Sequence, residues 1–552
     1  MGEKAVRLVG RALVLLISLL SVYLLSVSAG SAAEEFRTPA ISVVQVDWGA
    51  TLDQLRAEIG AVPAAASNFS FAPRRDVPRS DPRSTPALVQ LNAATLPIFT
   101  GIDRSAAPVL LPFDAAGYIA ARLNGAPTAD PALSRYQADF RPVDFFDAGP
   151  AGYDAVFSLP SDAGIGMPSR IYARPVEVQI TASLLIYDVA DPGGGKGEPV
   201  KGEPVKGEPV KALAAQYPDL RRFIREGYVR YAFTRFGVPY VVSIQCLDSA
   251  PRPHRLACRE AYPVAERFLR ALHVAGGLPS GSRMDVTQMI VERPTAASSD
   301  FTYRSTGDII ANGGARRQSG RLDLTCYSQI RFPLDAPAFI HSQSFKRRTS
   351  DKSDSPRGTY PWRDNFCEAR SFGVGQCASG FGHQGEDIRP GACPSRDAGD
   401  GCDPNQQSVF AVRDGAVLRS PKQQAATLQI NTRSEHIRFR YMHMNPSAMD
   451  TAGLLNGRQV AEGDRIGVVS NYLDHPNGTT RHLHFDVQVF TRDGWIWVSP
   501  YVTLISAYER LIRGRGHEIG PEIAGSPDAS RAHVPDETIR PDLQEGSEQR
   551  VN

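Results

Sequence analysis

The sequence predicts a mainly β domain in the C-terminal part of the chain, preceded by a mixed α+β region. Apolar and polar residues alternate from Arg481 to Val489 and again from Glu435 to Asn445, which is the period of a strand with one buried face. The high content of glycine (48) and proline (42) agrees with many turns between strands.

The region upstream of these strands contains signals for both strands and helices. Val, Ile, Tyr and Thr are frequent in Arg170–Val189, and Val238–Cys246 is a second strand candidate. Apolar residues recur at helical spacing in Tyr217–Phe233 and in Tyr262–Val274, so we expect two helices there.

Residues 1–33 are typical of a secretory signal. Basic residues precede an apolar run from Leu13 to Val27, and small residues up to Ala33 resemble a cleavage site. The alternative is an uncleaved membrane anchor, although a full span needs about 20 residues. The body of the protein is therefore expected to be exported, either periplasmic or extracellular, or anchored in the inner membrane if the segment is not cleaved.

The length of 552 residues is too great for one hydrophobic core, and the formal charge of +2 gives no basic excess. Nucleic acid is therefore not an expected partner. We expect a signal segment (1–33), an N-terminal region with β character (34–192), a linker or surface loop (193–211), an α+β region (212–335), a connector (336–359), a C-terminal domain (360–513) and an acidic disordered tail (514–552). The linker contains three KGEPV repeats, which cannot bury an apolar face.

The seven cysteines include no CxxC pair, which argues against a thiolate zinc site. In an oxidising compartment they would form disulfides and leave one thiol over. Cys246 with Cys258 and Cys393 with Cys402 are natural local pairs, whereas Cys326, Cys367 and Cys377 have no assigned partner. The alternative is a set of buried free cysteines.

A first candidate metal motif is the segment Gly382–Ile388, in which His383 and Asp387 are four residues apart. Gly385 between them permits a tight loop, so both side chains can converge on one cation. Neutral imidazole and carboxylate are both suitable zinc ligands.

A second motif is the strand at residues 481–489, where His482, His484, Asp486 and Gln488 share one face. Successive residues on one face of a strand are about 6–7 Å apart, which suggests one metal ligand and one catalytic base. The alternative is an exposed polar face of an edge strand.

The third motif is the segment 435–445. His443 is expected on the Ile437, Phe439 and Tyr441 side, at or just past the strand end. His436 has the opposite parity and is expected to point away from the site. A buried His443 could also be a structural hydrogen-bonding group.

These three motifs resemble the lysostaphin-type (LytM-like) zinc endopeptidases. That family has H-x-x-x-D, Y-x-H and H-x-H segments, and here HQGED, YMH and HLHFD follow in the same order. Ala411–Val417 and Val460–Gly467 resemble two hairpins of the family, and Ser379–Phe381 resembles its approach to the first histidine. The resemblance covers about residues 360–513. Departures are a long insertion from Arg389 to Gln407, Arg481 in place of a frequent proline, and HFD in place of HFE.

The resemblance implies an antiparallel β-sheet domain with a groove, and one Zn²⁺ per chain bound by His383, Asp387 and His484. A catalytic zinc keeps its fourth position open for water or substrate. His482 would be the general base, and His443 would bind or stabilise the oxyanion.

The implied activity is that of an exported zinc metalloendopeptidase that hydrolyses peptide cross-links of bacterial peptidoglycan. Peptidoglycan peptides are then the expected partner, and no particular protein partner is indicated. The membrane would be contacted only through an uncleaved N-terminal segment. Residues 34–335 are a candidate pro-region or substrate-positioning domain.

Two alternatives remain. Some relatives have lost zinc ligands and act as non-catalytic modules that activate other cell-wall hydrolases, but here every key position is filled. A purely structural zinc site would not explain His443 and His482.

Overall fold

The structure, a computed structural model, describes residues 37–60, 86–115, 117–118, 140–159, 176–189, 207–246, 256–279, 323–335, 338–340, 362, 364–368, 370, 372–377, 382–390, 406–473 and 475–513. The predicted signal segment, the polar connector from Phe345 to Gly358, the predicted Cys393–Cys402 pair and the predicted acidic tail lie outside these residues, as do the KGEPV repeats up to residue 206.

The N-terminal part mixes strands and helices, as predicted. Its strands are β1 (Ile41–Val43), β2 (Val109–Leu111), β3 (Arg141–Gly149), β4 (Gly152–Leu159), β5 (Val176–Ser183), β6 (Leu185–Tyr187), β7 (Glu208–Pro209), β8 (Arg221–Arg225), β9 (Tyr228–Arg235), β10 (Val238–Gln245) and β11 (His273–Gly276). Its helices are α1 (Trp48–Gly60), α2 (Pro86–Thr95) and α3 (Cys258–Arg270).

A seven-stranded antiparallel sheet forms the centre of this part, in the order β3-β4-β5-β10-β9-β8-β7. Strands from residues 141–183 and from residues 208–245 therefore lie in one sheet. One face packs against α3, where Phe268 contacts Phe140 and Phe157 through their rings. The Cys246–Cys258 disulfide, predicted from spacing, joins the end of β10 to the start of α3.

The helix predicted for Tyr217–Phe233 is wrong, because these residues form the β8–β9 hairpin. Its turn is Glu226-Gly227, with φ of 54° and 75°. Two successive residues with positive φ make the tight turn that joins twisted antiparallel strands. Of the apolar residues with helical spacing, Leu220 and Phe223 are buried whereas Ile224 is exposed, so they do not form one buried face.

The second predicted helix exists as α3, but it starts and ends earlier than Tyr262–Val274. Glu260 accepts a hydrogen bond from the backbone N–H of Ala257 at 2.9 Å, which fixes the start. The helix ends at Arg270 because His273 and Val274 pair with Leu111 and Leu110 of β2 instead.

The C-terminal part is mainly β, as predicted. Its strands are β12 (Ala338–Ile340), β13 (Glu386–Pro390), β14 (Ser408–Phe410), β15 (Gly415–Leu418), β16 (Ala426–Asn431), β17 (His436–Met442), β18 (Gln459–Val460), β19 (Arg465–Val468), β20 (Leu483–Thr491) and β21 (Gly494–Val498). Its helices are α4 (Pro446–Thr451) and α5 (Tyr501–Ile512).

The main sheet of this part is antiparallel, in the order β12-β13-β20-β17-β16-β15-β18, and β21 also pairs with β20. The alternation predicted for β20 is confirmed, since Leu483, Phe485, Val487 and Val489 belong to the hydrophobic core. Its opposite face is left for polar side chains.

The core of the C-terminal part extends upstream of the expected boundary at residue 360. Leu324, Ile330 and Phe332 are buried in it, and β12 pairs with β13. Residues 323–335 and 338–340, which were assigned to the α+β region and the connector, are therefore part of this domain.

The two sheets contact each other through a buried polar cluster. Asp154 of β4 accepts hydrogen bonds from His436 Nε2 (2.7 Å) and from Arg438 (2.9 Å) of β17. His436 Nδ1 lies 2.8 Å from Ser183 Oγ of β5, and the Arg438 guanidinium lies over the Trp495 ring. The N-terminal sheet thus covers one end of the polar face of β17.

None of the helices within the described ranges has the length and apolar character that a membrane crossing requires.

Candidate metal centre

Three elements of the C-terminal sheet meet at the candidate site. Asp387 of β13 is the direct cross-strand partner of His484 of β20, and His484 is paired on its other side with Met442 of β17. His383 lies just before β13 and His443 just after β17. The antiparallel register therefore brings together residues that are about a hundred positions apart in the chain.

Three potential ligand atoms converge within this site. His383 Nε2 lies 3.0 Å from His484 Nδ1 and 3.2 Å from Asp387 Oδ1, and His484 Nδ1 lies 3.1 Å from the same oxygen. All three side chains are buried, and the trio forms the His-Asp-His group that could hold a metal ion.

The outer ring nitrogens fix which nitrogen faces the centre. His383 Nδ1 lies 3.0 Å from the carbonyl of Asn365, which can only accept, so the proton is assigned to Nδ1. His484 Nε2 lies 3.4 Å from Asp486 Oδ2, a carboxylate partner, so its proton is assigned to Nε2. The inward nitrogens of both neutral rings then carry lone pairs.

The trio fits a divalent metal ion. Two lone pairs and one carboxylate oxygen meet at 3.0–3.2 Å with no assigned proton between them, an arrangement that repels itself unless a cation lies among them. Ligand atoms about 2.0–2.1 Å from a tetrahedral zinc are about 3.3–3.4 Å apart, close to the observed separations. Nitrogen and oxygen donors of this kind suit zinc.

Gly385 is required by close packing. A Cβ at this position would lie 2.5 Å from the carbonyl oxygen of Phe485 and 2.9 Å from His484 Nε2. Its φ is not in the left-handed region, so glycine is not needed here for the tight loop that the sequence suggested. It is needed for clearance between β13 and β20. Any side chain here would separate Asp387 from His484.

His482 lies beside the trio in the position expected of a base. Its Nδ1 is 2.8 Å from the carbonyl of Thr480, and its Nε2 is 3.3 Å from Asp387 Oδ1. The tautomer set by Thr480 leaves Nε2 as the proton acceptor. Burial lowers the pKa of His482 to about 4, so the ring is neutral near pH 7.

His443 also reaches the site, but the expected strand parity was wrong for it. Its ring centroid is 4.6 Å from that of His482 and 6.0 Å from that of His484, on the polar face of the sheet and not on the Tyr441 side. The reason is a left-handed backbone, with φ of 65°, which ends the strand alternation after Met442. Its Nδ1 is 2.8 Å from the carbonyl of Tyr472.

Charges within the site are strongly coupled. Burial raises the pKa of Asp387, but the adjacent His383 and His482 rings outweigh it and hold that pKa well below its usual range. Burial lowers the pKa of His484, but the neighbouring Asp387 and Asp486 carboxylates outweigh it and raise that pKa. The site therefore keeps the Asp387 carboxyl group in its ionised form.

Three supporting residues were not recognised as such from the sequence. Asp486 orients His484, although the alternation of β20 had placed both on one face. Asn365 orients His383, and Glu386 accepts backbone N–H bonds from Asn365 and Phe366 at 3.0–3.2 Å. Burial and the neighbouring Asp364 carboxyl raise the pKa of Glu386 well above its usual range.

Arg389, at the start of the predicted insertion, supports the other side of the site. It donates to the carbonyl of Arg481 at 2.8 Å and to Thr480 Oγ1 at 2.7 Å. Because Thr480 also holds His482, this guanidinium braces the loop that orients the candidate base. Arg481 contributes its backbone carbonyl to this contact.

Two further histidines, His436 and His475, lie outside the site. His436 was expected to point away, yet it shares the face of His484, since Arg438, Arg440 and Met442 pair with Gln488, Asp486 and His484. His436 cannot reach the metal centre, because it lies about 20 Å along the strand from Met442. The N-terminal sheet also covers its side chain. His475 is exposed in a turn.

Comparisons with known proteins returned no matching family model and no matching curated protein. Similar solved structures include a protein of Ruminococcus gnavus assigned as a glycyl-glycine endopeptidase (19% identity, 32% of this chain, 60% of that chain, TM-score 0.21). A second is lysostaphin of Staphylococcus simulans (20% identity, 23% of this chain, 44% of that chain, TM-score 0.16). A third is a protein of Pseudomonas aeruginosa assigned as an M23 peptidase (12% identity, 52% of this chain, 89% of that chain, TM-score 0.17). The chain spans less than two thirds of the length of the first two.

Proposed function

We propose that this chain is an exported zinc metalloendopeptidase of the lysostaphin type that hydrolyses peptide cross-links of bacterial peptidoglycan. The observation that supports it best is the convergence of His383 Nε2, Asp387 Oδ1 and His484 Nδ1 at 3.0–3.2 Å. The outer nitrogen of His383 contacts the Asn365 carbonyl at 3.0 Å, and that of His484 lies 3.4 Å from Asp486 Oδ2. The motif order HQGED, YMH and HLHFD supports the same assignment.

In this proposal His383, Asp387 and His484 hold one zinc ion. When bound, zinc polarises a carbonyl and makes hydroxide available near pH 7. His482, neutral and with Nε2 turned toward the site, takes a proton from the attacking water and delivers it to the leaving amine. His443, whose Nδ1 is held by the Tyr472 carbonyl, directs Nε2 toward the developing oxyanion and stabilises it when protonated.

Peptidoglycan peptides are proposed as substrate because the motifs resemble those of the lysostaphin family and the N-terminal segment is typical of export. The disulfides Cys246–Cys258 and Cys367–Cys377 agree with an oxidising compartment. Export, zinc dependence and the scissile cross-link are all parts of the proposal.

The test is incubation of purified peptidoglycan with the full chain, with and without a chelator, followed by chromatography of released peptides. His484→Ala is the inactivating variant, and His475→Ala, an exposed turn histidine, is the matched control. We expect release by wild type and by the control, and none with chelator or with His484→Ala. Zinc binding without release would favour the non-catalytic alternative, and release by His484→Ala would refute the metal assignment.

A further inference from the structure

We propose that the Cys367–Cys377 disulfide is a positioning element of the metal centre, because it holds the backbone that fixes the imidazole of His383. This inference rests on the proposed metal site. It assigns to the disulfide a role beyond general stabilisation of the fold.

Backbone hydrogen bonds tie His383 directly to the residues around Cys367. The N–H of Cys367 donates to the carbonyl of His383 at 2.8 Å, and the N–H of His383 donates to the carbonyl of Glu368 at 2.8 Å. This reciprocal pair fixes the backbone of the ligand on both sides of its Cα. A shift of Cys367 would therefore move His383 with it.

The same segment fixes the ring of His383. The carbonyl of Asn365 takes the Nδ1 proton at 3.0 Å, and the Asn365 and Phe366 N–H groups are themselves held by Glu386. Partners of this kind set the orientation and basicity of a ligating imidazole. One short stretch, residues 365–368, thus controls both the backbone and the ring of one ligand.

The disulfide lies against the chain that leads into this ligand. A Cβ on Gly382 would be 2.7 Å from Cys367 Cα and 2.7 Å from Cys377 Sγ, so Gly382 runs directly over the bridge. The N–H of Gly382 also donates to the carbonyl of Phe372, inside the loop closed by the disulfide, at 3.0 Å. Gly382, the residue before His383, therefore contacts both cysteines of the disulfide and is hydrogen-bonded to Phe372 between them.

The loop needs a covalent tie because regular structure does not hold it. No helix or multi-residue strand lies in the described residues between 362 and 385. Cys367 has a left-handed backbone, with φ of 63°, which an L-residue adopts only when its surroundings enforce it. Phe366, Phe372, Val374 and Trp497 pack on the disulfide in one small cluster separate from the main core.

The N-terminal sheet supports the same loop from outside. The N–H of Gly375 donates to Glu226 Oε1 of the β8–β9 turn at 3.3 Å, and Tyr228 packs against the cluster. The disulfide loop is thus placed between that turn and His383.

The chain offers a matched control in its other described disulfide. Cys246–Cys258 has a sequence separation of 12, against 10 for Cys367–Cys377, so loss of either bridge should cost similar loop-closure entropy. The control bridge lies in the core of the N-terminal sheet. A role in stability alone would affect both variants alike, whereas positioning of His383 would affect only one.

The experiment measures zinc affinity of the full chain by competition with a chromophoric chelator, for wild type, Cys367→Ala/Cys377→Ala and Cys246→Ala/Cys258→Ala. Far-UV circular dichroism selects a temperature at which all three are folded. We expect the Kd for zinc to rise about 10–100-fold on loss of Cys367–Cys377, as for other residues that orient metal ligands. The control variant should bind zinc as wild type does.

A second pair of variants tests the positioning role of the disulfide if Cys367→Ala/Cys377→Ala does not fold. Gly382→Ala forces a methyl group between the ligand segment and the intact disulfide, whereas Gly373→Ala in the same loop meets only Glu226 Cα at 3.8 Å. We expect weaker zinc binding for Gly382→Ala alone. Equal affinity in both pairs of variants would overturn the inference while wild type still bound zinc. A wild type that bound no zinc would refute the proposed function itself.

Discussion

Asp486 is predicted to control metal affinity through His484, and Asp486→Asn tests this. Its carboxylate is fully buried, lies 3.4 Å from His484 Nε2, accepts from Trp497 Nε1 at 3.2 Å and pairs with Arg440 Nε at 2.6 Å. Asparagine keeps the shape but loses the charge, and its NH₂ would face another donor. We expect the Kd for zinc to rise about 10–100-fold, or about 1.4–2.7 kcal/mol.

The same substitution should also destabilise the fold, so a control is needed. Removing one partner of a buried ion pair costs about 3–5 kcal/mol, because the other charge stays buried. Asp154→Asn breaks the buried ion pair with Arg438, which lies on the same face of β17 as Arg440 but at the end away from the metal centre. We expect both variants to lose a similar free energy of unfolding, and only Asp486→Asn to lose zinc affinity.

The assay is chelator competition at a temperature below both unfolding transitions, with denaturant unfolding followed by tryptophan fluorescence. Asp486→Glu keeps the charge, so it should bind zinc more tightly than Asp486→Asn. Equal zinc affinity of Asp486→Asn and wild type would refute the orienting role. Equal losses in Asp486→Asn and Asp154→Asn would show that affinity follows stability alone.

Three further predictions concern the site and the contact between the sheets. His482→Ala should lower kcat by about 10²–10⁴-fold with zinc affinity unchanged. Because burial lowers the pKa of His482 to about 4, the acid limb of the wild-type pH profile of kcat/KM should lie well below the ordinary histidine pKa. Burial raises the pKa of Asp154, but Arg438 and the adjacent imidazole outweigh it and lower the folded-state value, so the unfolded chain takes up the proton first. Its stabilisation should be present above about pH 4 and lost below it, which denaturant unfolding of wild type and Asp154→Asn would measure. Gly385→Ala should abolish zinc binding in a soluble protein, since the Cβ would meet the paired strand at 2.5 Å; metal analysis would contradict this if one zinc per chain remained.

The strand at residues 483–491 shows how far local sequence patterns reach. A period of two residues determines which side chains share a face, so the alternation alone places His482 and His484 on the same side of the sheet. Asp387 followed from the motif resemblance. The first prediction needed only local periodicity, whereas the second also needed the order of the motifs along the chain.

His443 and the β8–β9 hairpin show where that reasoning ends. Both depend on residues with positive φ, namely His443 at 65° and Glu226 at 54°. A non-glycine residue with positive φ is uncommon, so the sequence alone does not predict a left-handed backbone at either position. The sequence pattern assumes that a strand or helix continues, so a single such residue reverses the conclusion. In each case tertiary contacts, such as the bond from the His443 N–H to Gln424, stabilise the unusual conformation.

The orienting residues could not be predicted for a different reason. Asn365 and Glu386 act on His383 through contacts that span about twenty residues of irregular chain. Irregular backbone has no period, so nothing in the sequence indicates which carbonyl meets which imidazole. Asp154 and His436 are farther apart still, and only the docking of two sheets makes them partners.

The docked sheets also predict the outcome of truncation. A chain that starts near residue 355 would test whether residues 34–335 inhibit the enzyme, but it would lose five buried side chains of the C-terminal core: Leu324, Tyr327, Ile330, Phe332 and Leu334. At about 1.5–3 kcal/mol for each, the loss is about 8–15 kcal/mol, comparable with the whole stability of a domain, about 5–15 kcal/mol. It would also leave the buried guanidinium of Arg438 without Asp154. We therefore expect this truncated chain to be insoluble or unfolded by circular dichroism, so that its inactivity would not indicate a role in catalysis for the N-terminal part. A folded, zinc-binding product would show that the N-terminal sheet is dispensable for the core and would refute this reasoning.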